Sequence, residues 1–454
     1  MKVTLRQLEL PEIQIPEIQP QIPTEVYEAR CQSALEKGGC DWFVVYADRE
    51  HAANIAFLTG FEPRFEEALF LIGKNHQRVI ITGNESVSYT PRAGLPGISV
   101  LLSQSMSLLG QDRTVKPDLV SVLAEAGIRQ GDIVGLAGWK YLTKSEWMSD
   151  RPTFHASAFV VDALYSAAGE GALRDVTDVL MHPSYGLRTR VDVHQIALQE
   201  WGAARASAAV WRMLSAARPA ETELMAASRM GYAGEVLSAH IMFSSSNAAE
   251  GPVVGLASPG GRVLREGDGI TTAVGYCGGL SSRAGLLSKM DDDFLNVAKA
   301  YFTGLVTWYQ HADIGVEGGH LHDAVVSALA AGGLNSALNP GHLVGYDEWV
   351  SSPIYPASSE RIVSGMPFQV DVIPTPVRVG AALNCEDAVT FADESLRNTL
   401  KTQYPDVWAR IEQRRKFMAT EIGLDLKPSI LPLSNTPLCL PPFWLASSAL
   451  LTLN

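Results

Sequence analysis

The residues of this 454-residue chain best placed to do chemistry are His342, Asp371 and Glu386. His342 lies in Pro340-Gly341-His342-Leu343-Val344-Gly345, where glycine neighbours leave the backbone accessible. Glu386 lies in Cys385-Glu386-Asp387-Ala388-Val389, a carboxylate on an otherwise apolar strand that needs a partner once buried. A histidine and carboxylates in one pocket supply a general acid and a general base near neutral pH. Each residue also has a plainer reading. His342 is otherwise a hydrogen-bonded core histidine, and Asp371 a carboxylate that satisfies backbone donors. Arg283 reads as a substrate contact or as the counter-ion of one carboxylate. Cys277 reads as a nucleophile or as a buried structural thiol. His240, His320 and His322 have no ligand-like spacing and are read as structural.

The elements that must position these residues follow from periodicity and punctuation. Residues 1–25 are rich in Pro, Ile, Gln and Glu, with PEIQ appearing twice, and read as an extended arm. A helix is expected from Glu25 to Lys37, closed by Gly38-Gly39, then a buried strand over Asp41–Tyr46. Further strands are expected over Ala68–Gly73 and Arg78–Thr82. This alternation makes residues 26–185 an α/β domain. After a break at His182-Pro183-Ser184-Tyr185-Gly186, a long helix is expected over Val191–Ala217 and another over Leu224–Leu237. Strands follow around Ile241–Ser244 and Gly269–Val274, helices around Met290–Gln310 and His322–Ala331, and a strand-rich stretch from Pro367 to Phe391. Residues 186–454 therefore read as an α+β domain.

Composition limits the function classes. With 46% hydrophobic and 19% charged residues the chain is an ordinary globular one. Its formal net charge of −13 and the lack of any Lys/Arg run argue against nucleic acid and anionic membrane as partners. Five scattered cysteines without a CxxC pair argue against a zinc knuckle or a thioredoxin-type site and fit a reducing, cytoplasmic compartment. No secretory leader is read at the N-terminus. The apolar Phe443–Leu453 tail is too short to span a bilayer and reads as packed on the body or on a partner subunit.

Several segments, in order along nearly the whole chain, resemble the creatinase/aminopeptidase P/prolidase family. Asp41–Phe61, with its Asn-x-x-Phe-Leu-Thr-Gly stretch, resembles that family's N-terminal domain. Glu221-Thr222-Glu223-Leu224, Glu266-Gly267-Asp268, the Gly341-His342 segment, Gly365-Met366, Asp371 and Cys385–Val389 resemble motifs of its catalytic half. The resemblance implies a pita-bread fold for the second domain. It also implies a homodimer in which Arg64, in the loop Phe61–Glu67, reaches the neighbouring subunit's site. His342, Asp371, Glu386 and Asp387 would converge, with Arg283, Cys277 and Tyr276 facing them. Asp347-Glu348-Trp349, after the glycine-rich segment, reads as the pocket rim or as an exposed turn.

The family's peptidases hold two cations on an Asp, Asp, His, Glu, Glu set, bridged about 3.5–4 Å apart. Here the first Asp position falls on Ala273, and the second falls in Gly278–Arg283, which has no carboxylate. His342, Asp371 and Glu386 take the other three positions. Arg283 would oppose a nearby cation. The proton-transfer histidine expected between Pro252 and Leu256 is missing too. The expectation is a hydrolase with no metal and no cofactor that cleaves a C–N bond in a small polar nitrogen-containing substrate. The alternatives are an Xaa-Pro-type peptidase with at most one metal on His342, Asp371 and Glu386, and a non-catalytic binding protein on the same fold.

Overall fold

The computed structural model describes residues 2–454. They form two compact units: Gln21–Thr189, and the first 20 residues with Arg190–Asn454. The unit limits lie slightly outside the 26–185 span expected from sequence. The expected arm begins with β1 (Val3–Gln7), which belongs to the larger unit.

The Gln21–Thr189 unit is built on a six-stranded sheet. Its strands are β2 (Trp42–Ala47), β3 (Ala68–Gly73), β4 (Arg78–Thr82), β5 (Ser99–Leu102), β6 (Val134–Ala137) and β7 (Leu173–Asp175), in the order β5-β4-β3-β2-β6-β7. β2 runs antiparallel to β3 and parallel to β6. β2 and β3 are buried at every position, so both sheet faces are covered, as a continuous apolar run demands. One core gathers Val44, Tyr46, Leu69 and Leu71 against helices Leu119–Ala126 and Ala158–Ala168. The Asn-x-x-Phe-Leu-Thr-Gly stretch is structural. It forms helix Ala53–Thr59, which ends on Gly60 in the left-handed conformation at φ 72°. Its Asn54 donates to the Gly138 carbonyl at 2.8 Å and accepts from Arg188 at 2.7 Å.

The larger unit centres on an antiparallel sheet. Its strands in chain order are β8 (Met242–Ser246), β9 (Gly269–Tyr276), β10 (Gly279–Leu286), β11 (Asn335–Ser336), β12 (His342–Leu343), β13 (Pro367–Gln369), β14 (Pro374–Thr375), β15 (Asn384–Phe391), β16 (Ile430–Pro432) and β17 (Ala449–Leu453). The sheet path is β12-β13-β15-β10-β9-β8, with β16 added on β15; β11 pairs only with β14. β17 pairs antiparallel with β1, from Val3 opposite Leu453 to Gln7 opposite Ala449. The apolar tail is thus packed on the body, with Leu450 and Leu451 fully buried.

The long helix, Val193–Ala216, starts where Asp192 accepts from the backbone N–H groups of His194 and Gln195. It lies directly on the β9–β10 hairpin. A Cβ on Gly202 would meet the Tyr276 carbonyl oxygen at 2.0 Å, and one on Gly279 the Ala203 nitrogen at 2.2 Å, so both contacts require glycine. Glu200 in this helix is fully buried and pairs with Arg410 and Arg414 of helix Pro405–Phe417. The helix expected over Leu224–Leu237 is not formed at that length. Thr222 caps a short helix, Glu223–Ala227, and one further turn ends at Gly231, which has a φ of 71°. Gly234, at φ 98°, prevents a restart, because the left-handed conformation breaks helical hydrogen bonding. Buried Glu223 accepts from the Ser245 backbone N–H and hydroxyl and from the Gly260 N–H, so that motif too is structural.

Among the described residues, no helix is long and apolar enough to cross a membrane. Five cysteines are free.

Candidate functional site

Strand alternation decides which side chains reach the site. Met242, Ala273, Ser282 and Glu386 stand opposite one another across β8, β9, β10 and β15, and therefore share a face. Thr271, Ala284 and Asn384 form the next row on that face. The opposite face carries Thr272, whose hydroxyl lies 3.8 Å from the Met213 sulfur of the long helix. His342 pairs with Gln369, which pairs with Ala388, so β12 and β13 present His342 and Asp371 to the same side as Glu386.

On this face lies a cavity of about 390 Å³. Met242, Leu256, Leu280, Leu338, Val377 and Leu383 give it apolar walls, while His342, Glu348, Asp371 and Glu386 supply ionisable groups. His342, Asp371 and Glu386 each offer one ligand atom within 4.8 Å of the others. His342 Nε2 lies 3.6 Å from Glu348 Oε1 and 4.0 Å from Glu386 Oε1. Its Nδ1 faces the Leu343 carbonyl at 3.3 Å, a contact that needs Nδ1–H to donate and leaves the Nε2 lone pair toward the carboxyls. Trp349 stacks on the imidazole with ring centres 4.1 Å apart and planes 17° apart, fixing its orientation.

Burial sets the protonation states. The His342 imidazole is pushed down to about 4, so it is neutral at pH 7. Burial raises Asp371 to about 7. Burial raises Glu386, and the charges of Asp371, Glu348 and Asp387 raise it further. Glu348 keeps 27% of its side-chain surface open, yet desolvation of the rest and the charges of Asp371 and Asp347 hold it above the carboxylate range. Asp371 Oδ1, Glu386 Oε1 and Glu348 Oε2 are buried without a hydrogen-bond partner.

The candidate residues do not all meet. His342, Asp371 and Glu386 do. Arg283 does not face the cavity, contrary to the sequence expectation. It pairs in register with Cys385, one residue out of phase with Glu386, and points to the other side of the sheet. There it is fully buried and donates to both Asp387 oxygens at 2.9 Å and to the carbonyls of Thr436, Cys439, Glu386 and Ser282. Asp387 accompanies it, with Leu438 N–H donating at 2.8 Å, so its expected convergence with Glu386 is also corrected.

Tyr276 follows the same alternation to the helix side, its ring 6.3 Å from that of Tyr232. Cys277 turns the corner after β9 at φ 48° and receives Gln19 Nε2 at 3.6 Å from its sulfur. Neither lines the cavity, and nor does Asp347. Glu348 and Trp349, the next two residues of the expected rim segment, do. Arg64 belongs to the other unit, where it lies over the Tyr89 ring at 4.7 Å and pairs with Glu62 at 3.4 Å.

The cavity-facing positions of β9 and β10 are Thr271, Ala273, Leu280, Ser282 and Ala284, and none has a carboxylate. A bridged pair of divalent ions therefore does not fit. The remaining His342, Asp371 and Glu386 fit one ion at most, three protein donors being a common catalytic number.

No family model matches the chain, and no curated protein sequence is similar to it. Solved structures are similar throughout. The prolidase from Thermococcus sibiricus aligns at 15% identity and TM-score 0.63, covering 82% of this chain and 96% of that one. The X-Pro aminopeptidase from Thermotoga maritima aligns at 16% identity and TM-score 0.62, with coverages of 81% and 95%. Dipeptidase PepE from Mycobacterium ulcerans aligns at 18% identity and TM-score 0.59, with coverages of 82% and 95%. The chain thus has the two-part fold of prolidases and aminopeptidases P, with a pita-bread second domain.

Proposed function

We propose that this protein is a hydrolase that cleaves a C–N bond in a small nitrogen-containing substrate by acid–base catalysis, without a metal pair. The observation that carries the reading is the meeting of His342, Glu348, Asp371 and Glu386 opposite Ala273, Ser282 and Ala284. Carboxyl groups raised by burial, Asp371 to about 7 and Glu386 and Glu348 well above their ordinary value, hold protons to give and sites to take them. One protonated carboxyl of the Glu348–Glu386 side donates to the leaving nitrogen, while Asp371 as carboxylate accepts a proton from the attacking water. Neutral His342 presents the Nε2 lone pair to the same space, 3.6 Å from Glu348 Oε1 and 4.0 Å from Glu386 Oε1.

A second reading, an Xaa-Pro-type peptidase, is favoured by the fold neighbours and by the 4.8 Å limit on the donor triad. His342, Asp371 and Glu386 would then hold one divalent ion, which polarises a carbonyl and acidifies water when bound. Elemental analysis of the purified protein, with a turnover screen before and after prolonged EDTA treatment, tests the choice. The expected result is less than one equivalent of Mn, Co or Zn per subunit and turnover that survives EDTA. Activity lost to EDTA and restored by one equivalent of metal selects the peptidase reading. Two tightly held ions per subunit overturn both. Binding without turnover of any screened substrate leaves a binding protein. The same reading makes the protein a cytoplasmic homodimer that acts without nucleic acid or membrane, with Arg64 contributed to the neighbouring subunit's substrate site.

A further inference from the structure

We infer, resting on that reading of the site, that the cavity selects a small organic monocation: a protonated amine or amidine on an apolar body, with no carboxylate of its own. Buried polar atoms in folded proteins are nearly always paired. Here Asp371 and Glu386, 7% and 6% exposed, and Glu348 each direct an oxygen without a hydrogen-bond partner into or beside the cavity. The nearest sheet cation, Arg283, gives its donors to the other face of the sheet. The ligand must therefore bring donors, and a positive charge suits carboxyl groups that no lining cation balances. An ammonium offers three N–H groups, and an amidinium offers a planar pair that meets a carboxylate in two parallel bonds.

The walls set the rest of the ligand. No Lys or Arg is among the residues lining the cavity, so a ligand carboxylate would meet like charge with no counter-ion. Met242, Leu256, Leu280, Leu338, Val377 and Leu383 instead favour a hydrocarbon or aromatic body, and about 390 Å³ admits one ring with a short substituent. The zwitterionic dipeptide suggested by the fold neighbours' printed activities is a poor match, because only its ammonium end finds a partner here.

The test is isothermal titration in EDTA-containing buffer at pH 7.5 with benzamidine, its neutral isostere benzamide, and the zwitterion glycyl-proline. Benzamidine should bind about tenfold or more tighter than either control, as expected when a buried carboxylate pairs a matching cation. Glu386→Gln and Asp371→Asn should each weaken benzamidine about tenfold and leave benzamide unchanged. Both variants keep the size and a polar end of the side chain while removing a buried acid that is costly to ionise, so the fold is expected to hold, and their circular dichroism verifies it. Benzamide or glycyl-proline binding as tightly as benzamidine, or benzamidine affinity unchanged in both variants, overturns the inference. Because the readout is binding, it separates from the hydrolase reading. Cation-selective binding with no amide or amidine turned over sinks hydrolysis alone. Turnover of neutral or zwitterionic substrates without cation binding sinks the cation selectivity alone.

Discussion

Replacing Arg283 with methionine separates a structural from a substrate-binding role. The guanidinium is fully buried and pairs with both oxygens of Asp387, which is itself 2% exposed. Removing it leaves a charged carboxylate in the core with one remaining backbone donor, from Leu438. Breaking one side of such a pair costs about 3–5 kcal/mol. The double variant Arg283→Met/Asp387→Asn removes that charge and keeps an oxygen for Leu438. It still leaves the carbonyls of Ser282, Glu386, Thr436 and Cys439 without the guanidinium donors. These lost bonds, at about 1 kcal/mol or less each once water and second lone pairs compensate, mean that roughly half of the loss is recovered. Urea denaturation followed by tryptophan fluorescence measures the three proteins, and benzamidine titration measures the cavity in each. The expected pattern is a large stability loss, partial rescue and unchanged ligand affinity. A single variant within about 0.5 kcal/mol of the parent that no longer binds ligand would refute the outward orientation of Arg283.

Further outcomes follow from the same geometry. His342→Ala and Glu386→Gln should each lower turnover by about 10²–10⁴ with circular dichroism unchanged, and full activity in both would move the chemistry elsewhere. Asp371 binds its proton more tightly when folded, so its stability contribution is complete below its unfolded value of about 3.9 and declines as pH rises toward its folded value of about 7. In metal-free buffer, Asp371→Asn should therefore gain on the parent from pH 4 to 7 in urea midpoints and hold that gain above. An advantage that shrinks with pH would contradict the burial argument. Light scattering at micromolar concentration should give twice the 49.0 kDa chain mass; a purely monomeric protein would remove the role proposed for Arg64.

Much of this molecule could be read from its residues in order. The runs Trp42–Ala47, Ala68–Gly73 and Arg78–Thr82 form strands because apolar stretches of that length, bounded by Gly and Asn, have few other ways to bury themselves. The ordered motifs carried the fold, and the resemblance they make up singles out His342, Asp371 and Glu386, the last also because a carboxylate on an apolar strand needs a partner. Two things were hidden. The Leu224–Leu237 helix stops early because Gly231 and Gly234 take positive φ, a backbone state that composition alone does not assign. Arg283 was placed in the pocket by proximity along the chain, whereas a shift of one residue on a strand sends the side chain to the opposite face.

The sequence by itself thus determined most of the elements, their order and the absence of a carboxylate at Ala273 and over Gly278–Arg283, since residue identity and hydrophobic period are local properties. Only the tertiary structure decided which face of β10 and β15 each charge occupies, because that depends on a register shared with strands far along the chain. That register sends Arg283 and Asp387 to neutralise each other inside the protein, while Glu386 joins Asp371, Glu348 and His342 in a cavity that supplies no cation.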